Sequence, residues 1–208
     1  MIYPPVCGFC EKLDKNSLCN KCKIRIQKNA ICKIEDYRET TSFFDEHLYL
    51  FQYDGEIRNA ILNFKFNEQA YIYKTFLEIL KNNEKICTQI KKYDIIMPIP
   101  ISKKRFKQRG YNQSALIARN LAKTLNIDYK ENVLVKIKNN KPQSELGQHE
   151  RSANVKDVYK LKETKKVYKK NILLVDDIYT TGSTANECAK VLKENNANIV
   201  GIFTLAKD

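Results

Sequence analysis

The sequence predicts an α/β fold: a mainly parallel, twisted sheet flanked by helices, with a small cysteine-rich segment at the N-terminus. Three features carry that expectation. Short apolar runs bounded by turn residues alternate with stretches of helical periodicity. The run Ile172-Leu173-Leu174-Val175 has no polar partner positions, as a strand covered on both faces requires. Four of the seven cysteines crowd into Cys7-x-x-Cys10 and Cys19-x-x-Cys22. At 208 residues there is room for one α/β domain of ordinary size and a small appendage.

Charge and cysteine usage narrow the class. The chain holds 37 Lys and Arg against 24 Asp and Glu, a formal net charge of +13. This points to polyanionic or phosphorylated partners, although a solvated lysine-rich surface gives the same count. The chain has no apolar run of about eighteen residues, and Met1-Ile2-Tyr3-Pro4-Pro5 does not read as a signal peptide. A cytoplasmic protein is expected. Thiols stay reduced in that compartment, so disulfides are not.

Each Cys-x-x-Cys turn points two thiolates at one ion, and eight residues separate the two pairs. Cys7, Cys10, Cys19 and Cys22 are therefore the expected ligands of a tetrahedral zinc ion. Residues 1–34 are too short to bury a core, so the metal would supply most of their folding free energy. Four thiolates leave no open coordination position, which makes the zinc structural. Cys188 shares a helical face with Ala185, Ala189 and Leu192 and reads as a small core residue.

Residues 35–45 are polar and mixed and read as a linker, with one domain expected over 46–208. His47 to Tyr53 reads as a strand, Asp54-Gly55 as a turn, and Ile57, Ile61, Leu62 and Phe64 as the stripe of a helix. Lys65, near the end of that helix, is placed to face a phosphate. A second helix is expected over Ala70 to Asn82. The strand from Tyr93 stops at Pro98 and Pro100, because proline removes a ladder donor. A basic loop follows, with Lys103, Lys104, Arg105, Lys107 and Arg109. Then comes a helix capped by Asn112 or Ser114. A basic loop can be merely solvated, but α/β sheets bind ligands beyond the carboxyl ends of their strands, which favours phosphate binding here. Val133 to Ile137 is a further strand. The polar stretch 138–157, with Gln143, His149, Arg151 and Asn154, reads as a flap, and His149 as a solvated loop residue. Tyr159 to Leu161 is a short strand, Ser183 to Asn195 a helix, and Ile199 to Leu205 the last strand.

The six glycines form neither G-x-G-x-x-G nor a P-loop, and two histidines without H-E-x-x-H disfavour a metallohydrolase. No Ser or Cys stands beside a recognisable base. The informative stretch is Asp176 to Thr184. Two carboxylates at its entry suit vicinal hydroxyls. Hydroxyls, one glycine and a helix N-terminus at its exit suit a phosphate. A sugar phosphate carries both.

The apolar run followed by Asp-Asp-x-x-x-Thr-Gly-x-Thr resembles the phosphoribosyl pyrophosphate (PRPP) signature of type I phosphoribosyltransferases. The resemblance implies that Asp176 and Asp177 take the ribose hydroxyls, with or without magnesium, and that Thr180, Thr181, Gly182, Ser183 and Thr184 wrap the 5′-phosphate. The paired cysteines, Tyr53-Asp54-Gly55 leading to Lys65, and Pro98-Ile99-Pro100 extend it. So do Arg109-Gly110-Tyr111-Asn112-Gln113 and Gln143…Leu146…Arg151-x-x-Asn154. Together these are similar to the competence protein F (ComF, ComFC) family over essentially the whole chain. That likeness implies natural transformation, with incoming single-stranded DNA and the DNA-uptake machinery as partners, in the cytoplasm or peripheral at the inner membrane. Lys65, Arg105, Arg109 and Asn112 would contact pyrophosphate or DNA phosphates, and Gln143, Arg151 and Asn154 would belong to the flap. The chain departs from the transferases at Pro98 and Pro100, which lack the N–H donors a pyrophosphate loop uses. Arg105 and Arg109 are placed to compensate. Two readings follow: a PRPP-binding protein of DNA uptake, and an active phosphoribosyltransferase of nucleotide salvage.

Overall fold

The computed structural model describes residues 6–66, 69–137 and 158–208. In chain order the elements are α1 (Asn20–Asn29), β1 (Lys33–Asp36), β2 (Glu46–Gln52), α2 (Gly55–Phe66), α3 (Ile72–Lys81), α4 (Glu84–Ile90) and β3 (Ile95–Pro98). They continue as α5 (Lys103–Arg109), α6 (Gln113–Leu125), β4 (Asp128–Tyr129), β5 (Leu134–Lys136), β6 (Tyr159–Leu161), β7 (Ile172–Tyr179), α7 (Ser183–Glu194) and β8 (Val200–Lys207). Six strands form one sheet in the order β1-β2-β8-β7-β3-β4, parallel throughout except for β1 at the edge.

Side chains alternate across a strand, and in β7 both sets are apolar because both faces are covered. Leu173 and Val175 join Phe203 and Leu205 against α2, α3 and α6. Ile172 and Leu174 join Val200 and Ile202 against α7, where Cys188, Ala189 and Leu192 are fully buried, as the helical stripe predicts. The cysteine segment adds to the first core: Cys7, Leu18, Cys22 and Ile26 pack into the same cluster as Phe76 and Leu80 of α3. Thr75 of α3 donates to the Ser17 carbonyl at 2.6 Å, and a Cβ on Gly8 would lie 2.5 Å from the Thr75 hydroxyl.

Three expectations need correction. β7 runs through both aspartates to Tyr179, since β8 pairs with it as far as Tyr179↔Lys207; the turn therefore begins at Thr180. The basic loop is helical. Ser102 caps α5 by accepting from the Arg105 N–H at 3.2 Å, and Gly110 ends it at φ +75°. The strand at Val133 to Ile137 stands outside the main sheet, because β5 pairs antiparallel with β6 as a separate hairpin packed toward α7. Among the described residues no helix is long and apolar enough to cross a membrane.

Candidate anion-binding site and metal centre

β3 ends where Pro98 stands opposite Val175, and the Ile99 N–H makes the last ladder bond, to the Val175 carbonyl at 2.9 Å. β7 continues beyond that point beside β8 alone, with Asp176 opposite Thr204. The two aspartates therefore stand over a crevice at the carboxyl ends of the strands, the place an open parallel sheet offers a ligand.

Successive side chains of a strand point to opposite faces, and the two carboxylates have different neighbours. Asp177, 8 % exposed, lies 3.1 Å from the Lys65 ammonium at the end of α2. Asp176 accepts from the Ser114 hydroxyl at 2.7 Å and from the Asp177 N–H at 2.9 Å. Burial and the adjacent Asp177 charge push its carboxyl up to about 6, against the opposing pull of Ser114 and Lys65. It is an under-compensated acceptor, and sugar hydroxyls or a divalent cation would relieve it. The donor set thus fits magnesium, which hard carboxylate oxygens favour.

The cradle at 180–184 is made by the chain itself. Gly182 sits at φ +71°, and a Cβ there would lie 2.2 Å from the Tyr179 hydroxyl, so conformation and space both require glycine. Gly182 precedes α7 without a side-chain cap, so the positive end of the helix faces the loop. The Thr181 and Ser183 hydroxyls lie 2.9 Å apart. Thr204 also lines this small hollow. Its hydroxyl donates to the Ala206 carbonyl at 3.0 Å, so His47 Nε2, 2.9 Å away, must carry the proton of their shared bond. Burial pushes His47 down to about 3, which keeps the ring neutral.

Beside the cradle a cavity of about 360 Å³ brings Lys65, Arg105, Arg109, Asp176, Asp177, Thr180 and Thr184 together. Arg109 is fixed through Gln113: its Nη1 donates to the Gln113 carbonyl oxygen at 3.0 Å, and Gln113 in turn donates to the Phe64 carbonyl at 3.3 Å. Asn112 has a scaffold role: it caps α6 by accepting from the Ser114 N–H at 3.1 Å and donates to the Ile99 carbonyl at 3.1 Å. Gln143, His149, Arg151 and Asn154 lie outside the described residues.

Sequence reasoning missed several members of this cavity. Ser114 was legible only as an alternative cap, yet its hydroxyl holds Asp176. Lys136 of β5 lines the cavity with its ammonium 5.5 Å from the Tyr159 ring, and burial followed by nearby Arg105 pushes it down to about 8. Neither carries a local signal, because each becomes a neighbour of β7 only through the fold. A second cavity, of about 340 Å³, lies at the opposite ends of the strands. Its two carboxylates are already engaged, Glu46 by Gln89 and Tyr93 and Asp45 by the Val200 N–H and Lys193, which marks them as scaffold.

The four paired cysteines converge. The Sγ atoms of Cys7, Cys10, Cys19 and Cys22 all lie within 4.8 Å of one another, with Cys10 and Cys19 at 3.7 Å. A tetrahedral ion about 2.3 Å from each sulfur separates the sulfurs by about 3.8 Å, so the set fits zinc. A bridge between Val6 and Leu13 closes the first turn, and Glu11 at φ +58° gives it its bend. Cys19 caps α1, its sulfur accepting from the Cys22 N–H at 3.5 Å. Arg25 donates to the Cys22 sulfur at 3.5 Å while pairing with Glu56 at 2.7 Å. These contacts orient the thiolates and offset their charge.

The phosphoribosyl transferase domain family matches residues 112–208, which include α6, the aspartate pair and the cradle. Competence protein F of Haemophilus influenzae is 28% identical over 93% of this chain and 91% of that protein. Competence protein ComFC of Bacillus subtilis is 26% identical over 98% of this chain and 77% of that protein. DNA utilization protein YhgH of Escherichia coli is 30% identical over 114 residues, 55% of this chain and 49% of that one. Matches of this breadth span both the cysteine segment and the domain behind it: over nearly its whole length the chain is similar to the competence protein F and ComFC proteins, and it has a phosphoribosyltransferase-like fold.

Proposed function

We propose that this chain binds PRPP or a related sugar phosphate at the carboxyl ends of β3 and β7, and acts in DNA uptake during natural transformation. There it handles incoming single-stranded DNA on the cytoplasmic side. The observation that carries the ligand is the pairing of an under-compensated Asp176 with a glycine-bearing cradle a few residues on. Asp176 and Asp177 would accept from the ribose hydroxyls and hold magnesium. Thr180 to Thr184 would take the 5′-phosphate, and Lys65, Arg105 and Arg109 the pyrophosphate. Magnesium, when bound, neutralises phosphate charge. The role in DNA uptake draws on the similarity to competence protein F and ComFC, and on the net charge of +13. The cysteine set would hold a structural zinc that ties the N-terminal segment to α3.

Calorimetry of PRPP with magnesium, on the wild type and on Asp176→Asn/Asp177→Asn, tests the site. Heat of binding in the wild type and none in the variant is expected; equal binding would remove the aspartates from it. The presence of Arg105, Arg109 and Lys136 in one cavity with the aspartates also favours turnover, since three cations suit a departing pyrophosphate. Pyrophosphate release with one member of a panel of nucleobases would make the chain a transferase. Binding without release would leave it a PRPP-binding protein.

A further inference from the structure

Helix α5 has no buried residue, yet it carries Phe106, 51 % exposed, among Lys103, Lys104, Arg105, Lys107 and Arg109. An exposed phenylalanine within a run of cations contributes nothing to the core. At about 100° per residue, Arg105, Arg109, Phe106, Lys103 and Lys107 follow one another around the helix in that order. The two arginines line the sugar-phosphate cavity, so Phe106 stands at its rim and the lysines lie outside. Arg109 also packs against a second exposed ring: its guanidinium carbon is 5.1 Å from the centroid of Phe66, which is 64 % exposed. The arrangement is held in place, because Gln113 is buried and fixes Arg109.

We infer that this ridge, Phe106–Arg109–Phe66 flanked by Lys103 and Lys107, is a single-stranded nucleic-acid track leading to the mouth of the sugar-phosphate cavity. The inference rests on the DNA-handling reading above and assigns it a surface. Bases stack on exposed rings and on guanidinium planes regardless of sequence, while ammonium groups follow the phosphates. Duplex DNA keeps its bases stacked inside and offers the two rings nothing. Arg109 serves both the ridge and the cavity, so pyrophosphate bound in the cavity competes with the strand for it.

The test uses the full chain and a fluorescent oligothymidine of about twenty nucleotides, titrated over a range of salt concentrations. Phe106→Ala is expected to weaken binding about tenfold without changing the salt dependence. Lys103→Gln/Lys107→Gln is expected to lower the slope of log affinity against log salt by about 1.4, at about 0.7 per phosphate contact. Both variants should melt as the wild type does, since these side chains are exposed. PRPP binding should be unchanged in both. Oligothymidine binding that Phe106→Ala leaves intact would overturn the track and leave DNA handling to another surface. A wild type that binds no oligothymidine at low salt would overturn the DNA reading itself. Binding to phosphatidylglycerol vesicles that Phe106→Ala abolishes, with oligothymidine binding untouched, would make the ridge a membrane contact and also overturn the track.

Discussion

Replacing Asp176 by asparagine should make the free protein more stable while removing its ligand. The folded chain holds this carboxyl at about 6, against about 3.9 for an unfolded aspartate. Between those values the folded state binds a proton that the unfolded state has released. The raised value therefore stabilises the fold at low pH, and that stabilisation is lost as pH rises through about 6. Two units correspond to about 3 kcal/mol of penalty at pH 7.5 and about half of that at pH 5. Asparagine carries no such charge and keeps an oxygen for the Ser114 hydroxyl. Urea denaturation of both proteins with zinc present, at several pH values from 5 to 8, reads the difference directly. Asp176→Asn should exceed the wild type by about 2–3 kcal/mol at pH 7.5, with the gap narrowing by about half at pH 5. Equal stabilities, or a gap that does not narrow as pH falls, would refute the account of Asp176 as an under-compensated carboxylate.

The remaining predictions concern its neighbours. Gly182→Ala must place a Cβ 2.2 Å from the Tyr179 hydroxyl at positive φ; a loss of about 1–3 kcal/mol is expected in denaturant, together with loss of PRPP binding by calorimetry. Lys65→Met leaves Asp177 buried without its cation, and a loss of about 3 kcal/mol is expected at neutral pH; no change in the denaturation midpoint would mean that the pair contributes nothing. Chelation of the metal should lower the melting temperature of the whole chain and not only unfold its N-terminal segment, because Cys7, Leu18, Cys22 and Ile26 lie in the same core as α3. Differential scanning calorimetry with and without a chelator checks this, and an unshifted main transition would count against it.

What the sequence by itself determined is local. Ile172 to Thr184 holds a strand, a carboxylate pair, a glycine-dependent turn and a helix N-terminus within thirteen consecutive residues. Their chemistry therefore shows in one dimension. The Cys-x-x-Cys pairs are legible for the same reason, since the spacing that aims two thiolates at one ion lies within a single turn.

Tertiary structure decided what depends on a partner distant in the chain. The continuation of β7 through Asp176 and Asp177 comes from pairing with β8, which no apolar pattern in β7 announces. Ser114, 62 positions before Asp176, and Lys65, at the end of α2, reach the aspartates only because α6 and α2 pack on one face of the sheet. Lys136 enters the cavity from a hairpin outside the main sheet. Propensity and periodicity report on a residue's own neighbourhood, whereas an ion pair or a shared cavity depends on which elements meet. The ligand loop is thus written in the sequence, and the charges that surround it are set by packing.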